Sequence, residues 1–277
     1  MRRLLLCVIV ALVSLGGVSC AAQPPEGAIP ARILRWHDGD TAQVRLTGDP
    51  PAGVGNYEAV RLLGIDTPEV GEPFADDATR FFRSLTMGKD VYVELNPVEL
   101  RDRHRRLLVH LWVETEEGWV LVSEELVRAG LARILVYYPE HEPYYCRLLR
   151  ARALAQVDRL GLWGTFAEPL TVGELEASPV RYVAEVITVT FRVSRVGEDK
   201  WGLSLWADGS RYGFRAIIDP TACPAFWEGA SLPTGDWVGA TVAVTGELLW
   251  DSFGGGPRIE VRFPDQLALT AEEGDER

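Results

Sequence analysis

Three short clusters of charged residues in the first half of the chain carry the groups that phosphodiester hydrolysis needs. The segment from Arg61 to Glu69 ends an apolar run in a cation, two carboxylates and a rigid turn. An earlier cluster spans His37 to Thr41, and a later, arginine-rich cluster spans Arg101 to Arg106. Carboxylates can hold a divalent cation, and guanidinium groups bind phosphate oxygens bidentately. Together the clusters predict a metal-assisted phosphodiesterase.

Taken one at a time, each cluster has an ordinary structural interpretation. Asp-Gly-Asp is typical of a hairpin turn, because Asp and Gly satisfy turn backbones. Asp-Thr-Pro-Glu is typical of a turn that leads into a helix, and an arginine-rich run is typical of a solvated loop. Only the ordered coincidence of the three clusters favours a catalytic site.

The clusters resemble the motifs of the staphylococcal nuclease (thermonuclease) family, over roughly Ile33 to Gly164. Four motifs occur in the family's order and near its spacing: residues 38–41, 61–69, 102–106 and 126–132. The resemblance implies an oligonucleotide/oligosaccharide-binding (OB) barrel with three helices. It also implies calcium dependence and hydrolysis of DNA and RNA to products that end in a 3′-phosphate.

The resemblance implies a calcium site formed by the carboxylates of Asp40 and Asp66 and by the main-chain carbonyl of Thr67. Calcium takes six to eight oxygen ligands, so this set leaves positions for water and a substrate phosphate oxygen. With so few anionic ligands we expect weak affinity, on the order of 10⁻⁴ to 10⁻³ M, as in extracellular calcium modules. No spacing of Cys and His in the sequence suggests zinc.

Three further positions match the family's catalytic groups. Arg61 and Arg106 match the pair that binds phosphate, and Glu69 matches the carboxylate that activates water. Arginine suits the negative charge that develops on phosphoryl oxygens, because it stays charged and binds them in a fork. Glu69 follows Asp66 across Pro68, whose fixed φ holds the carboxylate near the metal site.

Substrate contacts are predicted for Arg103, His104 and Tyr138. Tyr138 matches a tyrosine of the family's nucleotide pocket, and His104 is either a phosphate-facing residue or an exposed loop residue. The chain departs from the family at two places: His104-Arg105 replaces Tyr-Gly, and Val136 replaces a second pocket tyrosine. The lost glycine affects the turn before the second catalytic arginine, and the lost aromatics affect substrate placement.

The first twenty residues have the three-part layout of an export signal. Arg2 and Arg3 precede an apolar run from Leu4 to Val18, and small residues surround Cys20. The sequence around Cys20 resembles the lipobox of bacterial lipoproteins, in which the cysteine is lipidated; ordinary cleavage near Ala22 is the alternative. We therefore expect an extracytoplasmic protein, either secreted or tethered to the membrane through Cys20.

Cys146 and Cys223 are the only cysteines after the predicted signal. An oxidising compartment permits a disulfide between them. Two buried free thiols are the alternative, since the sequence does not supply their separation.

The net charge of −12 is unusual for a protein that binds nucleic acid, because phosphates attract basic surfaces. Residues 31–164 hold 17 Arg and Lys against 21 Asp and Glu, whereas residues 165–277 hold 9 against 18. The acid is thus concentrated in the C-terminal part. A bound divalent cation would bring the N-terminal part close to neutral, so a nucleic-acid substrate stays compatible with the composition.

A chain of 277 residues can form two domains of medium size. The predicted division is a signal at 1–20, a proline-containing tether at 21–30, a nuclease-like domain at 31–164, a linker at 165–179, a β domain at 180–268 and an acidic tail at 269–277.

Hydrophobic periodicity predicts five short strands and three helices in the first domain, typical of a small barrel. The strands are expected at 33–36, 42–46, 60–65, 91–95 and 107–113. The helices are expected at 76–87, from Ser123 as N-cap to Gly130 as the stop, and at 143–158.

Beyond the linker, five strand-like segments with a longer insertion after the third predict a second OB-type barrel; a β-sandwich is the alternative. Its aromatic residues Trp201, Trp206, Tyr212 and Phe214 could stack on bases, but alternating aromatics on strands are more typical of a core. With an acidic domain, the sequence favours a structural or protein-binding module over a nucleic-acid platform.

The leading hypothesis is an exported calcium-dependent nuclease. A catalytically silent lipoprotein, whose barrels bind nucleic acid or a protein, is the alternative from another class, and the His104-Arg105 substitution counts for it. A sugar-binding lipoprotein is a third hypothesis, which no sequence feature specifically supports.

Overall fold

Two closed five-stranded β-barrels follow one another in the computed structural model, which describes residues 23–164, 168–199, 202–251 and 256–270. The predicted export signal, including Cys20, and the end of the acidic tail lie outside these residues. In the described part of the chain, no helix has both the length and the apolar character needed to cross a membrane.

The first barrel is built from five strands, and each overlaps a strand that the periodicity predicted: β1 (Ile29–Trp36), β2 (Thr41–Leu46), β3 (Tyr57–Leu62), β5 (Val91–Leu95) and β6 (Leu107–Thr115). Three short strands lie outside the closed barrel: β4 (Ile65–Asp66) pairs with β8 (Arg133–Ile134), and β7 (Gly118–Leu121) pairs with β6. Neighbours run antiparallel in the order β3-β2-β1-β5-β6, and a parallel pairing of β3 with β6 closes the barrel. This connectivity confirms the predicted OB-like fold.

Alternation along β2 shows why this sequence forms a barrel strand. Ala42, Val44 and Leu46 are buried, whereas Gln43 and Arg45 between them are exposed. Side chains in a strand point alternately to the two faces of the sheet, so one face of β2 joins the core and the other meets solvent.

Three helices pack around this barrel: α1 (Ala75–Thr86), α2 (Val122–Arg128) and α3 (Tyr145–Val157). The prediction that Ser123 caps α2 is wrong, because the helix begins at Val122, two residues earlier than predicted, and Leu121 occupies the N-cap. The Ser123 hydroxyl instead donates to the main-chain carbonyl of Leu63 at 3.0 Å, and thereby ties α2 to the loop before β4. Gly130 ends α2 in the left-handed region, as predicted, at φ +71°.

Gly130 also lets two loops touch. A Cβ on Gly130 would lie 2.2 Å from the main-chain oxygen of Leu160, and a Cβ on Gly161 would lie 2.3 Å from that of Gly130. Since side chains are excluded from this contact, both positions need glycine.

The second barrel repeats the topology of the first. Its elements are β9 (Leu170–Thr171), α4 (Val172–Ala177), β10 (Val186–Asp199), β11 (Gly202–Ala207), β12 (Arg215–Ile218), β13 (Thr241–Asp251), β14 (Gly256–Val261) and β15 (Leu267–Thr270). The order β13-β14-β12-β11-β10 is closed by pairing of β10 with β13, and β12 lies parallel to β14. The domain is therefore a barrel and not a sandwich.

Part of the segment predicted as a linker is structured. Residues 170–171 pair with β10, and Thr171 caps α4 in a reciprocal pair of hydrogen bonds with Glu174. Val172 and Leu175 are buried in the core of the second barrel. These residues therefore pack with the second domain.

The helix α3 lies between the two barrels. Leu148 and Ala151 are buried in the first core, whereas Leu149 and Ala153 pack against Phe263 of the second domain. A disulfide joins Cys146 at the start of α3 to Cys223, so the structure resolves the alternative between a disulfide and two free thiols. An ion pair of 3.2 Å between Arg150 and Asp265 adds to this contact.

The four aromatic residues discussed for base stacking have different surroundings. Phe214 is fully buried and packs edge-on against Phe191, so it belongs to the core. Trp206 is covered by Arg195, whose guanidinium carbon lies 3.8 Å from the ring centroid. Tyr212 packs against Trp250, and Trp201 lies outside the described residues.

Candidate active site

Arg61, at the end of β3, joins two of the predicted metal ligands. Its Nε lies 3.2 Å from an oxygen of Asp40, and its Nη2 lies 2.9 Å from an oxygen of Asp66. Its Nη1 donates to the carbonyls of Leu62 and Ile65 at 2.6 and 2.9 Å. These contacts fix the guanidinium plane between the two carboxylates.

Asp40 is the buried carboxylate of the site, and its residue is 5 % exposed. Its Oδ2 accepts hydrogen bonds from the main-chain nitrogen and the hydroxyl of Thr67, at 3.0 and 3.1 Å. Burial raises the pKa of Asp40, and the neighbouring Arg61 offsets this only in part. A cation at this carboxylate would favour its charged form.

The turn before Asp40 is stabilised by hydrogen bonds to the side chain of Asp38. Asp38 Oδ1 accepts hydrogen bonds from the main-chain nitrogens of Asp40 and Thr41, at 3.0 and 2.7 Å. A Cβ on Gly39 would lie 2.7 Å from that of Ala78 and 2.8 Å from the side chain of Thr67. Glycine is therefore required for close packing against α1 and Thr67, a reason that the Asp-Gly-Asp pattern did not reveal.

Arg106 reaches the same carboxylate through Thr41. Its Nη1 donates to the Thr41 hydroxyl at 3.0 Å, and that hydroxyl donates to Asp40 at 3.1 Å. Its Nε pairs with Asp102 at 2.7 Å. An unbroken series of contacts therefore runs from Asp66 through Arg61, Asp40 and Thr41 to Arg106.

Asp102 positions Arg106 from within the arginine-rich cluster. Its second oxygen accepts hydrogen bonds from the main-chain nitrogens of His104 and Arg106, both at 2.9 Å. Burial alone would raise the pKa of Asp102, but the hydrogen bonds from Arg106 hold it below its usual value. Sequence reasoning assigned no role to Asp102 or Thr41, although Asp102 precedes Arg106 by four residues and Thr41 follows Asp40 directly.

Arg105 adopts the conformation for which the family uses glycine. Its φ is +65°, and its nitrogen donates to the carbonyl of Asp102 at 2.9 Å. The tight turn that precedes Arg106 is thus formed despite the substitution. The left-handed conformation is unfavourable for an L residue by roughly 1 kcal/mol, so the turn carries some strain.

Asp66 and Glu69 are the more exposed carboxylates among the predicted site residues. Asp66 is half exposed in its side chain, and Glu69 is exposed. Within the described residues the Glu69 carboxylate makes no hydrogen bond or ion pair; its main-chain nitrogen donates to Glu72 at 2.9 Å. The carboxylate is therefore free to contact water or substrate, and its assignment as the activating base stays a prediction.

The predicted substrate residues lie outside this series of contacts. Arg103 donates to the His104 ring at 3.0 Å, and both side chains are exposed. Tyr138 is 65 % exposed, with its ring 5.9 Å from that of His141. The structure links none of the three to Asp40 or Asp66, and their roles stay predictions.

The donor atoms at this site suit a hard cation. Asp40 and Asp66 offer carboxylate oxygens, which calcium prefers, and they share a guanidinium that already balances part of their charge. The described residues contain no cluster of three or more His, Cys, Asp and Glu side chains arranged to hold a metal. Any cation here must therefore complete its coordination with main-chain oxygen, water or substrate.

Comparison with known proteins matches this region of the chain. Residues 59–165 match the family described as "Staphylococcal nuclease homologue". The chain is 29 % identical over 141 residues to the SPbeta prophage-derived endonuclease YokF of Bacillus subtilis (strain 168), covering 49 % of this chain and 44 % of that protein.

Two further relatives cover the same half of the chain. Endonuclease YncB of Bacillus subtilis (strain 168) is 28 % identical over 132 residues, covering 46 % of this chain and 57 % of that protein. Thermonuclease of Staphylococcus hyicus is 28 % identical over 138 residues, covering 48 % of this chain and 74 % of that protein. The chain spans about half the length of the two Bacillus relatives.

Proposed function

We propose that this chain, whose residues 59–165 belong to the staphylococcal nuclease family, is an exported, calcium-dependent nuclease that hydrolyses phosphodiester bonds of DNA, RNA or both. The products proposed are those that end in a 3′-phosphate. The observation that carries the proposal is the unbroken series of contacts from Asp66 through Arg61 and Asp40 to Arg106. It gathers two carboxylates and two guanidiniums in one place.

Asp40, Asp66 and the carbonyl of Thr67 would hold the calcium ion. When bound, the ion would supply positive charge next to the phosphoryl group that is attacked. Its proposed affinity is low, on the order of 10⁻⁴ to 10⁻³ M, as for extracellular calcium modules.

The side chains of the protein supply the remaining groups. Attack on a phosphodiester adds negative charge to the phosphoryl oxygens, and Arg61 and Arg106 can neutralise it without losing their own protons. Glu69 would orient a water molecule and accept its proton, because the carboxylate is exposed and carries no competing hydrogen bond from a described residue. Thr41 and Asp102 would hold Arg106 in place.

Export is proposed from two independent features. The N-terminal sequence has the layout of a signal peptide, and the two cysteines of the folded part form a disulfide. Disulfides persist in oxidising compartments, outside the reducing cytosol. Whether Cys20 carries lipid distinguishes a tethered from a secreted enzyme, and mass analysis of the mature N-terminus measures it.

A calcium-switched digestion tests the proposed activity. The mature protein is incubated with single-stranded DNA or RNA in calcium, then in a chelator, and the product ends are tested for release of phosphate by a phosphomonoesterase that acts only on 3′-phosphates. We expect cleavage in calcium, arrest in the chelator and 3′-phosphate ends. Cleavage that is insensitive to the chelator, or its complete absence in calcium, would contradict the proposal.

A further inference from the structure

A cavity of about 230 Å³ lies between α3 and the second barrel, remote in sequence from the nuclease clusters. One wall is formed by Arg152 and Gln156, one helical turn apart on α3. The opposite wall carries Glu247, Glu260 and Arg262 from the second barrel. The cavity is several times larger than one water molecule requires.

The two polar side chains on α3 face this cavity without protein partners. Gln156 is only 6 % exposed, yet its carboxamide makes no hydrogen bond with any described residue. Arg152 likewise makes no ion pair or hydrogen bond within the described chain. Its burial, followed by the nearby Arg262 guanidinium, lowers the pKa of Arg152, which shows that its charge is poorly balanced.

The described charged residues of the second barrel do not form an ion pair with Arg152. Glu260 already pairs with Arg262 at 3.1 Å and with Arg258 at 3.6 Å. Glu247 is exposed and forms no ion pair with Arg152, and its charge offsets the lowering of the Arg152 pKa only in part. The cavity therefore presents one unpaired guanidinium, a carboxamide and a carboxylate that can accept a hydrogen bond.

Covalent and ionic contacts link the two walls of the cavity. The Cys146–Cys223 disulfide and the Arg150–Asp265 ion pair join α3 to the second domain on the same side of the helix. Gln266, in the opposite wall, accepts from the main-chain nitrogen of Arg262 at 2.9 Å and donates to the carbonyl of Thr245 at 3.0 Å. Preorganised polar groups of this kind are typical of a ligand site.

We propose that this cavity binds a phosphate group, either inorganic phosphate or a small phosphate monoester. The Arg152 guanidinium and the Gln156 amide donate to phosphate oxygens, and the charge-assisted bond from Arg152 fixes the ligand. A protonated phosphate oxygen donates to the Glu247 carboxylate. Sulfate has no proton at neutral pH, so the same carboxylate repels it.

Calorimetric titration of the full mature chain, with a chelator present, tests this proposal. Inorganic phosphate is expected to bind saturably, and Arg152→Met or Gln156→Leu is expected to weaken binding at least about tenfold. Arg147→Gln is the matched control, because Arg147 lies on the same helix but pairs with Glu124 of the first domain, away from the cavity. A thymidine 3′-phosphate titration compares the two ligand sources, and the tighter ligand identifies which one the cavity prefers.

Sulfate provides the second readout, which does not depend on the folding of the Arg152 variant. Wild type is expected to bind sulfate at least about tenfold more weakly than phosphate, and Glu247→Gln is expected to remove most of that difference. The proposal is overturned by the absence of saturable phosphate binding at millimolar concentration. It is equally overturned by unchanged affinity in Arg152→Met, or by a phosphate-to-sulfate ratio that Glu247→Gln leaves intact.

Discussion

Arg105 shows how a single backbone conformation can preserve the turn that precedes Arg106. The family's glycine is absent, yet Arg105 holds φ at +65° and Arg106 still reaches Thr41. The substitution that counted for a catalytically silent protein therefore leaves the aim of Arg106 intact. Arg105 adds backbone strain to this turn but does not move Arg106 away from Thr41.

The first prediction concerns Arg105 itself. Arg105→Gly is expected to keep nuclease activity within a few-fold and to leave stability unchanged or raise it by up to about 1 kcal/mol. Arg105→Val is expected to lose both, because a β-branched residue is strongly disfavoured at positive φ. Urea unfolding and DNA cleavage rates measure the two effects; equal behaviour of the Gly and Val variants would contradict the strained-turn account.

The second prediction separates the chemical role of Glu69 from a structural one. Glu69→Gln is expected to lower turnover at least about 10²-fold, the scale of losing one acid/base group. Because the side chain is exposed and makes no hydrogen bond or ion pair with a described residue, the thermal midpoint should not change. Turnover close to that of wild type would remove Glu69 from the mechanism.

At the scale of elements, the packing of β6 against the segment before α3 buries an ionisable pair. His110 Nε2 lies 3.3 Å from Glu142 Oε1, and both side chains are less than a tenth exposed. Burial lowers the pKa of His110 to about 4 and raises the pKa of Glu142 to about 7. The folded protein therefore favours the neutral form of both groups.

The third prediction follows from the raised pKa of Glu142. As pH rises from about 4.5 to about 7, the unfolded chain releases a proton that folded Glu142 retains, so wild type loses stability. Glu142→Gln has no such loss. Between pH 5 and 8 the free energy of unfolding of the variant, relative to wild type, should rise by up to about 3 kcal/mol.

We expect titration of His110 to leave the difference between wild type and Glu142→Gln unchanged. Its depressed pKa makes the fold lose stability as pH falls from about 6.5 towards 4, and because burial is the cause we expect the same loss in both proteins. Urea unfolding at several pH values gives the difference directly. A difference that stays constant with pH would show that Glu142 does not titrate with a raised pKa.

Elements with strong periodicity could be predicted from the sequence, and contacts between elements could not. The alternation of Ala42, Val44 and Leu46 identified β2, because one face had to be buried. The start of α2 was predicted wrongly because Ser123 was assigned as its N-cap. The Ser123 hydroxyl donates to the carbonyl of Leu63 and does not cap the helix. Residues 170–177 appeared aperiodic because β9 and α4 are too short to show a repeat.

The residues of the candidate site likewise include some that the sequence predicted and some that it did not. Asp40, Arg61, Asp66 and Arg106 were predicted from motifs that resemble those of the staphylococcal nuclease family, and the structure brings them together. Thr41 and Asp102 were missed because their role depends on distances between strands and loops. A single sequence does not reveal that a Thr after an Asp, or an Asp within an arginine run, contacts a site residue.

At the scale of the whole molecule, α3 and the disulfide couple two barrels of the same topology. Cys146 and Cys223 are separated by 77 residues, so the cross-link closes a long loop. In the chain-entropy description such a loop contributes about 4 kcal/mol by restricting the unfolded chain. The cross-link should therefore stabilise the contact between the domains.

The fourth prediction tests this coupling. A reductant is expected to lower the thermal midpoint of wild type by several degrees, and the double variant Cys146→Ser with Cys223→Ser is expected to unfold at the lower temperature with or without reductant. Differential scanning fluorimetry measures both. An unchanged midpoint of wild type in reductant would mean that the disulfide does not constrain the folded pair.

We propose that two guanidiniums and two carboxylates converge to hydrolyse a phosphodiester bond. The most direct measurement is the rate of DNA cleavage in calcium by Arg106→Ala beside Arg45→Ala, which removes an exposed arginine elsewhere on the same barrel. We predict that Arg106→Ala lowers turnover at least about 10²-fold and that Arg45→Ala changes it only slightly. Near-normal cleavage by Arg106→Ala, or an equal loss in both variants, would contradict the claim.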